Sequence, residues 1–232
     1  MMYKRIFLFL GLLLLLGAPA MDCGAIAETP YEPEMIYVPI IMYHEVKPYR
    51  AGKDAIQPWE LDNDLTYLDK NGYTTITMGD LIDYVYHDFD LPEKPIVLTF
   101  DDGYLNNYIY AFPILEKHSV KVVLSIIGKN TDDFTDIPDD NTDYSHVTWM
   151  QLREMLDSGL VEVQNHTYNL HKSRGRLGCR RLPFETNEEY EQALTDDIMK
   201  LQRELTLITG RTPNTFAYPY GKASDIDRKS VV

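Results

Sequence analysis

Residues 96–103 read IVLTFDDG, and this stretch decides the fold class of the 232-residue chain. Its apolar and β-branched start is typical of a buried β-strand. The strand runs into two adjacent carboxylates, Asp101 and Asp102, and a glycine. Open α/β sheets and α/β barrels place their functional groups at such C-terminal strand ends. Because paired buried carboxylates cost desolvation and repulsion, a metal ion or a proton-transfer task would explain them. The alternative is a solvated Asp-Asp-Gly turn.

Strands and helices alternate along the rest of the chain. Apolar residues at helical spacing and capping residues such as Thr77 and Thr148 mark the helices, and short β-branched runs mark the strands. The alternation predicts an α/β fold with a largely parallel sheet, and the pattern does not distinguish an open sheet from a barrel. The predicted strands are 38–44, 73–76, 96–100, 120–127, 161–164 and 215–218, and the predicted helices are 58–71, 77–86, 107–118, 148–158 and 187–209. Residues 129–145 and 173–185 are predicted to be surface loops.

Two of the chain's 6 histidines, His166 and His171, follow the predicted strand 161–164 within one short segment. Residues five apart lie on different faces of a helix, so these imidazoles can converge only from a bend. One carboxylate and two imidazoles are a common three-ligand set for zinc, with one coordination position left open. The alternative is a pair of packed or surface histidines. Two histidines at one strand end, matched by two acids at another, favour a metal site.

Three segments of the chain resemble motifs of the polysaccharide deacetylases, carbohydrate esterase family 4. The family's first motif, T-F-D-D-G, is intact at residues 99–103. Its second motif, a His-Ser/Thr segment closing on a further His, resembles residues 166–171, with the two histidines one residue further apart than is commonest. Its third motif, centred on a Pro-aromatic pair, resembles residues 216–221.

The segment Met42-Tyr43-His44 carries a further resemblance. The usual family order ends with a Leu-x-His strand whose histidine is the general acid, and no such segment follows Gly221. One branch of the family, which includes poly-N-acetylglucosamine deacetylases, is circularly permuted and carries an equivalent strand near its N-terminus. The sequence is similar to that branch. The alternative for His44 is a strand-end histidine whose ring bonds to the backbone.

The resemblance implies a distorted (β/α) barrel with fewer than eight units. It also implies a hydrolase for carbon–nitrogen, non-peptide bonds: metal-dependent N-deacetylation of an N-acetylglucosamine-containing polysaccharide. The implied ligands of a divalent ion, expected to be zinc, are Asp102, His166 and His171. Asp101 is the implied general base and His44 the implied general acid. The main-chain N–H of Tyr220 is expected to hold the oxyanion with the metal.

Two departures from the family pattern leave alternatives open. Ala217 occupies a position at which many members carry an arginine that orients the base. The chain also ends at Val232, shortly after Gly221, so the barrel is expected to be short and incomplete at its C-terminus. The alternatives are a catalytically impaired, glycan-binding relative and a zinc amidase that acts on cell-wall peptides. A non-enzymatic surface protein with structural histidines is the third.

The N-terminal residues are predicted to be a secretory signal peptide, 1–27. Lys4 and Arg5 precede an apolar run at 6–16, and Ala25-Ile26-Ala27 offers a small-residue cleavage site. A flexible lead-in at 28–37 and a catalytic domain at 38–232 complete the predicted organisation. We expect a secreted or cell-envelope protein, associated with a membrane only through an uncleaved signal, because the apolar run is shorter than a spanning helix needs.

The formal net charge of −14 limits the classes of binding partner that can be expected. It excludes nucleic acid and anionic polymers as expected partners, because like charges repel. A neutral N-acetylated glycan is compatible with this charge. About 200 residues after the signal suffice for one domain with its own core, and we expect a monomer.

Overall fold

A parallel β-sheet organises the part of the chain that the structure describes. The computed structural model describes residues 36–49 and 52–224, and the predicted signal peptide lies outside them. The chain divides into two units, residues 1–36 and Tyr37–Val232, and every element named below belongs to the second. Among the described residues, no helix has the length and apolar character needed to cross a membrane.

The central strand of the sheet is the one that ends in the two carboxylates. The strands are β1 Ile40–Tyr43, β2 Glu45–Val46, β3 Ala55–Ile56, β4 Thr74–Ile76, β5 Pro95–Asp102, β6 Val122–Ile126 and β7 Val161–Asn165. The sheet order is β1-β5-β6-β7, β4 also pairs with β5, and all pairings are parallel. Strand β5 therefore has neighbours along its length and helices over it, which explains its nearly continuous apolar run. β2 and β3 form a separate parallel pair.

Helices connect the strands as the alternating pattern predicts. They are α1 Pro58–Lys70, α2 Met78–Tyr86, α3 Phe112–His118, α4 Gly128–Asp136, α5 Trp149–Asp157 and α6 Asn187–Thr209. A π-helical turn, Asn107–Ala111, precedes α3, and a 3-10 turn, Pro219–Gly221, lies near the C-terminus of the described residues. Thr77, Thr148 and Thr186 close capping boxes at the starts of α2, α5 and α6. Each box satisfies main-chain N–H groups that a helix start leaves unbonded.

Two predictions of local structure are wrong. Residues 129–145 are not all loop, because α4 covers the first part of this segment. Its polar side chains form hydrogen bonds to the first residue of α5: Thr135 Oγ1 accepts from Trp149 N at 3.0 Å, and Asp132 Oδ1 accepts from the Trp149 indole at 2.8 Å. The predicted strand 215–218 is reduced to a single parallel bridge between Asn165 and Phe216.

The apolar core lies between the sheet and its helices. Its largest cluster joins buried residues of β5 and β6 to the inner faces of α1, α3, α5 and α6, including Leu98, Leu124, Leu61, Leu115, Leu152 and Leu201. The α/β class and the parallel sheet are confirmed. The pairings form an open path from β1 to β7, extended by the bridge at Phe216, so barrel closure stays a prediction.

Candidate active site

Three strands of the parallel sheet deliver chemically active side chains to one edge. The register aligns Tyr43 with Phe100, so His44 follows β1 beside Asp101 at the end of β5. It also aligns Asp102 with Ile126, and Ile126 with Asn165, so His166 follows β7 at the same level. The strands are parallel, and their carboxyl ends therefore share one edge. The sequence-predicted residues of three separate segments meet there.

Asp102, His166 and His171 form one cluster. One ligand atom from each residue lies within 4.8 Å of the others. The Nε2 atoms of His166 and His171 lie 3.3 and 3.1 Å from Asp102 Oδ1. This oxygen is buried and, among the described residues, receives no hydrogen bond of acceptable geometry. A buried carboxylate oxygen that faces two imidazole nitrogens without bonding to them fits a cation held between the three groups.

The distal nitrogens of both imidazoles have partners of their own. His166 Nδ1 lies 2.8 Å from the carbonyl oxygen of Ala217, and because a carbonyl only accepts, Nδ1 carries the proton. His166 Nε2 is then left with its lone pair directed to the cluster. His171 Nδ1 lies 3.3 Å from the Tyr220 hydroxyl. Such outer partners set the tautomer and the ring orientation of metal-binding histidines.

Non-glycine residues adopt left-handed backbone conformations at this edge. Asp102 has φ 72°, Thr167 has φ 75° and Tyr220 has φ 56°. Each such conformation costs about 1 kcal/mol or more and persists only where the surroundings enforce it. The one at Thr167 supplies the bend between the two histidines that the sequence requires. Strain concentrated at the cluster is typical of a functional site.

Asp101 and Asp102 are adjacent, yet their environments move their pKa values in opposite directions. Burial raises the pKa of the Asp101 carboxyl, and this outweighs the lowering influence of His166, His44 and a hydrogen bond from Ser125. Burial also opposes ionisation of Asp102, but its close contacts with His166 and His171 prevail and hold the pKa of Asp102 below its usual range. Two neighbouring carboxyls separated in this way are suited to different tasks.

His44 lies half-buried beside Asp101, and the π-helical turn holds its main chain. Asn107 Nδ2 donates to the carbonyl of His44 at 2.8 Å, and Asn106 Oδ1 accepts from Val46 N at 3.1 Å. Both asparagines are fully buried. π-Helical turns are rare and frequent at functional sites. The sequence prediction did not include these asparagines, because nothing in the pattern of 107–118 distinguishes a π-turn from an ordinary helix.

Tyr220 projects from the 3-10 turn at the rim of the cluster. Its ring centroid lies 4.5 Å from that of His171, and the residue is 46% exposed. A half-exposed aromatic ring beside the cluster offers a stacking face to a ligand. The expected part of its main-chain N–H stays a prediction. At Ala217, the position of the missing arginine, the chain contributes its carbonyl to His166 instead of a side chain.

Besides the two buried asparagines described above, the sequence prediction did not include Tyr104 and His146. Burial, followed by the nearby charge of Asp102, raises the pKa of Tyr104 above its usual value. The Tyr104 ring stacks on His146 with a centroid distance of 4.7 Å. Tyr104 could have been found, since it directly follows residues 99–103. His146 could not, because it lies in a segment without periodicity and outside the three motifs. In the fold its ring contacts the main chain of Asp102 and the side chain of Asn130.

Comparisons with known proteins identify the family to which this chain is similar. The family model described as polysaccharide deacetylase matches residues 89–231. The poly-beta-1,6-N-acetyl-D-glucosamine N-deacetylase of Escherichia coli K12 is 30% identical in an alignment of 222 residues, and the match covers 87% of this chain and 33% of that relative. The chain thus spans about a third of the length of that curated relative.

Solved structures of related proteins share the fold. A de-N-acetylase from Aggregatibacter actinomycetemcomitans superposes with a TM-score of 0.71 at 28% identity, covering 84% of this chain and 83% of that one. The IcaB protein of Ammonifex degensii gives a TM-score of 0.67 at 28% identity, covering 83% and 78%. With a family match over more than half of its length, the chain belongs to the polysaccharide deacetylase family.

Proposed function

We propose that this protein hydrolyses N-acetyl groups of an N-acetylglucosamine-containing polysaccharide in a metal-dependent reaction. The convergence of Asp102, His166 and His171 beside Asp101 is the observation that carries the proposal. The Escherichia coli relative named above as a poly-beta-1,6-N-acetyl-D-glucosamine N-deacetylase makes that polymer the first substrate to test. We further propose that the sheet is part of a distorted (β/α) barrel, and that the protein acts as a monomer outside the cytoplasm.

The metal ligands in this proposal are Asp102, His166 and His171, and the expected ion is zinc. One carboxylate oxygen and two imidazole nitrogens suit zinc and leave room for further ligands. When bound, such an ion supplies Lewis acidity toward the acetamide carbonyl and toward water. The carbonyl of Ala217 supports His166 in this set by fixing its tautomer.

Asp101 is the proposed general base, which takes a proton from the attacking water. Its carboxyl is buried beside the ligand set, and burial raises its pKa, which makes the carboxylate a stronger base. The hydroxyl of Ser125, opposite Asp101 in the β5–β6 register, hydrogen-bonds to the carboxyl.

His44 is the proposed general acid, which gives a proton to the departing amine. It lies on the β1 side of Asp101, whereas His166 lies on the β7 side. The proposed general acid and the proposed metal ligands are therefore on opposite sides of the general base. The main-chain N–H of Tyr220 is proposed to hold the developing oxyanion. A single donor of this kind contributes about 3 kcal/mol in comparable sites.

The test is acetate release from poly-β-1,6-N-acetylglucosamine and from shorter N-acetylated oligosaccharides, with and without a chelator. Asp102→Ala and His166→Ala should lose zinc and acetate release together. Asp136→Ala and His87→Ala are matched controls, since both residues are exposed and far along the chain from the cluster. Full acetate release by Asp102→Ala protein in the presence of chelator would refute the proposal.

A glycan-binding relative without catalysis is the second candidate, and Ala217 in place of the usual arginine favours it. Saturable binding of the glycan with no release of acetate, by protein loaded with zinc, would decide for it. The family match leaves the cell-wall amidase without a supporting observation.

A further inference from the structure

His146 lies directly behind Asp102 and takes no part in the steps proposed above. The residue is 7% exposed. Its Nδ1 lies 3.0 Å from the main-chain oxygen of Asp102, and its Nε2 lies 3.0 Å from Nδ2 of Asn130. Because the carbonyl can only accept, Nδ1 carries a proton and donates it, and Nε2 accepts from the Asn130 amide. The neutral imidazole thus satisfies both of its neighbours.

The ring of His146 contacts two other aromatic rings, and hydrogen bonds hold the main chain on either side of it. It lies against Tyr104, with centroids 4.7 Å apart, and against Phe134, with centroids 5.7 Å apart. Leu105 N donates to the carbonyl of Ser145 at 2.7 Å, and Val147 N donates to that of Gly103 at 2.9 Å. The segment 145–147 is therefore fixed against the residues that follow Asp102.

The carbonyl that His146 binds belongs to a strained point of the backbone. Asp102 and Gly103 both have φ 72°, so the chain turns sharply where β5 ends. A left-handed non-glycine residue needs surroundings that enforce it. A buried hydrogen bond to the Asp102 carbonyl holds the peptide group between these two residues in place, and with it the Asp102 main chain from which the side chain extends.

We propose that His146 is a positioning residue that keeps the Asp102 carboxylate directed at His166 and His171 through the Asp102 main chain. The inference rests on the proposed function, because it takes Asp102 as a metal ligand. Partners of this outer kind are worth 10- to 100-fold in metal affinity in known sites.

Two substitutions separate the hydrogen bond from the packing. His146→Phe keeps an aromatic ring between Tyr104 and Phe134 but cannot donate. His146→Asn loses the ring but can place an amide N–H near the position of Nδ1. The readout is the dissociation constant of zinc for purified metal-free protein, measured by competition with a chromogenic chelator, together with the thermal midpoint of the metal-free protein.

We expect His146→Phe to bind zinc at least about tenfold more weakly than the parent, and His146→Asn to recover most of that loss. Met155→Ala is the control for general destabilisation, since Met155 is buried on α5 and belongs to the main core cluster. It should lower the thermal midpoint and leave zinc affinity unchanged.

Three results would overturn the inference: parent-like affinity in His146→Phe, equal losses in His146→Phe and Met155→Ala, or no recovery in His146→Asn. Failure of the proposed function has a different signature, because it shows in the parent protein as absent zinc binding or absent acetate release. The first of those two results would remove the inference as well.

Discussion

The adjacent carboxylates offer a matched pair of substitutions: Asp101→Asn should leave metal binding unchanged, whereas Asp102→Asn should weaken it. Each replaces a buried carboxylate by an amide of nearly the same size, so packing is conserved. In Asp101→Asn the amide oxygen can still accept from the Ser125 hydroxyl, and the three ligand atoms of the cluster are untouched. In Asp102→Asn the oxygen that faces His166 and His171 loses its charge.

The expected changes in kcat and in zinc affinity follow from the roles proposed for the two residues. General-base catalysis contributes about 10²- to 10⁴-fold, or roughly 3 to 5.5 kcal/mol of barrier, so Asp101→Asn should lower kcat by at least about 100-fold. Its zinc affinity should remain close to that of the parent. Changes in outer partners already cost 10- to 100-fold in metal affinity, so loss of the ligand charge in Asp102→Asn should exceed that range.

The assay measures zinc content and zinc affinity of both variants, and then acetate release at saturating zinc. We expect a metal-loaded, slow Asp101→Asn protein and a metal-poor, inactive Asp102→Asn protein. If Asp101→Asn released acetate at the parent rate, or if it lost zinc as Asp102→Asn does, the division of tasks between the two acids would be wrong.

The remaining predictions concern the proposed general acid His44, the turn that carries Tyr220 and the bound metal. His44→Ala should retain zinc and lose at least about 100-fold in kcat, and undiminished turnover would remove His44 as the general acid. Gly178→Ala, whose Cβ would lie 2.6 Å from the Pro219 carbonyl, should displace the turn that carries Tyr220 and lower kcat/KM by up to about 100-fold. Gly175→Ala is its control, since it has the same left-handed backbone but open space around its Cβ, and equal losses in both would contradict the argument. Chelation should lower the thermal midpoint of the parent, because zinc at 100 times its dissociation constant stabilises by about 2.7 kcal/mol. Asp102→Ala should show no such response in the same thermal scan.

Most of the fold could be predicted because its signals are local. Threonine caps and apolar spacing define α2, α5 and α6, and Gly210, at φ 70°, ends α6 where the sequence predicts. The β5 strand is recognisable because it is buried on both faces. The parallel arrangement then follows from alternation alone. For the same reason the sequence predicts that the acids at the end of β5 and the histidines after β7 lie at one edge of the sheet.

The two wrong predictions of local structure have a common physical cause. Both segments are determined by tertiary hydrogen bonds that amino-acid composition does not reveal. Helix α4 is polar enough to resemble a loop, and its side chains find their partners in the start of α5. Residues 215–218 are apolar enough to resemble a strand, yet they pair with β7 through Phe216 alone. In both segments the local structure depends on contacts between residues that are distant in the sequence: α4 bonds to Trp149, and Phe216 bridges to Asn165.

The left-handed conformations of residues in the site could not be predicted from the local sequence. Gly103 signals a sharp turn, but Asp102, Thr167 and Tyr220 give no sign that they share its conformation. Each of them is disfavoured locally, so the conformation has to be enforced by the contacts around it. At Thr167 the enforcing bonds include Thr167 N to Asn165 Oδ1 at 2.9 Å and Gly128 N to the Thr167 carbonyl at 3.1 Å. The site geometry therefore depends on buried polar contacts of α4 and β7 that have no part in the chemistry. Substitutions such as Asn165→Ala should consequently weaken zinc binding although Asn165 bears no ligand atom.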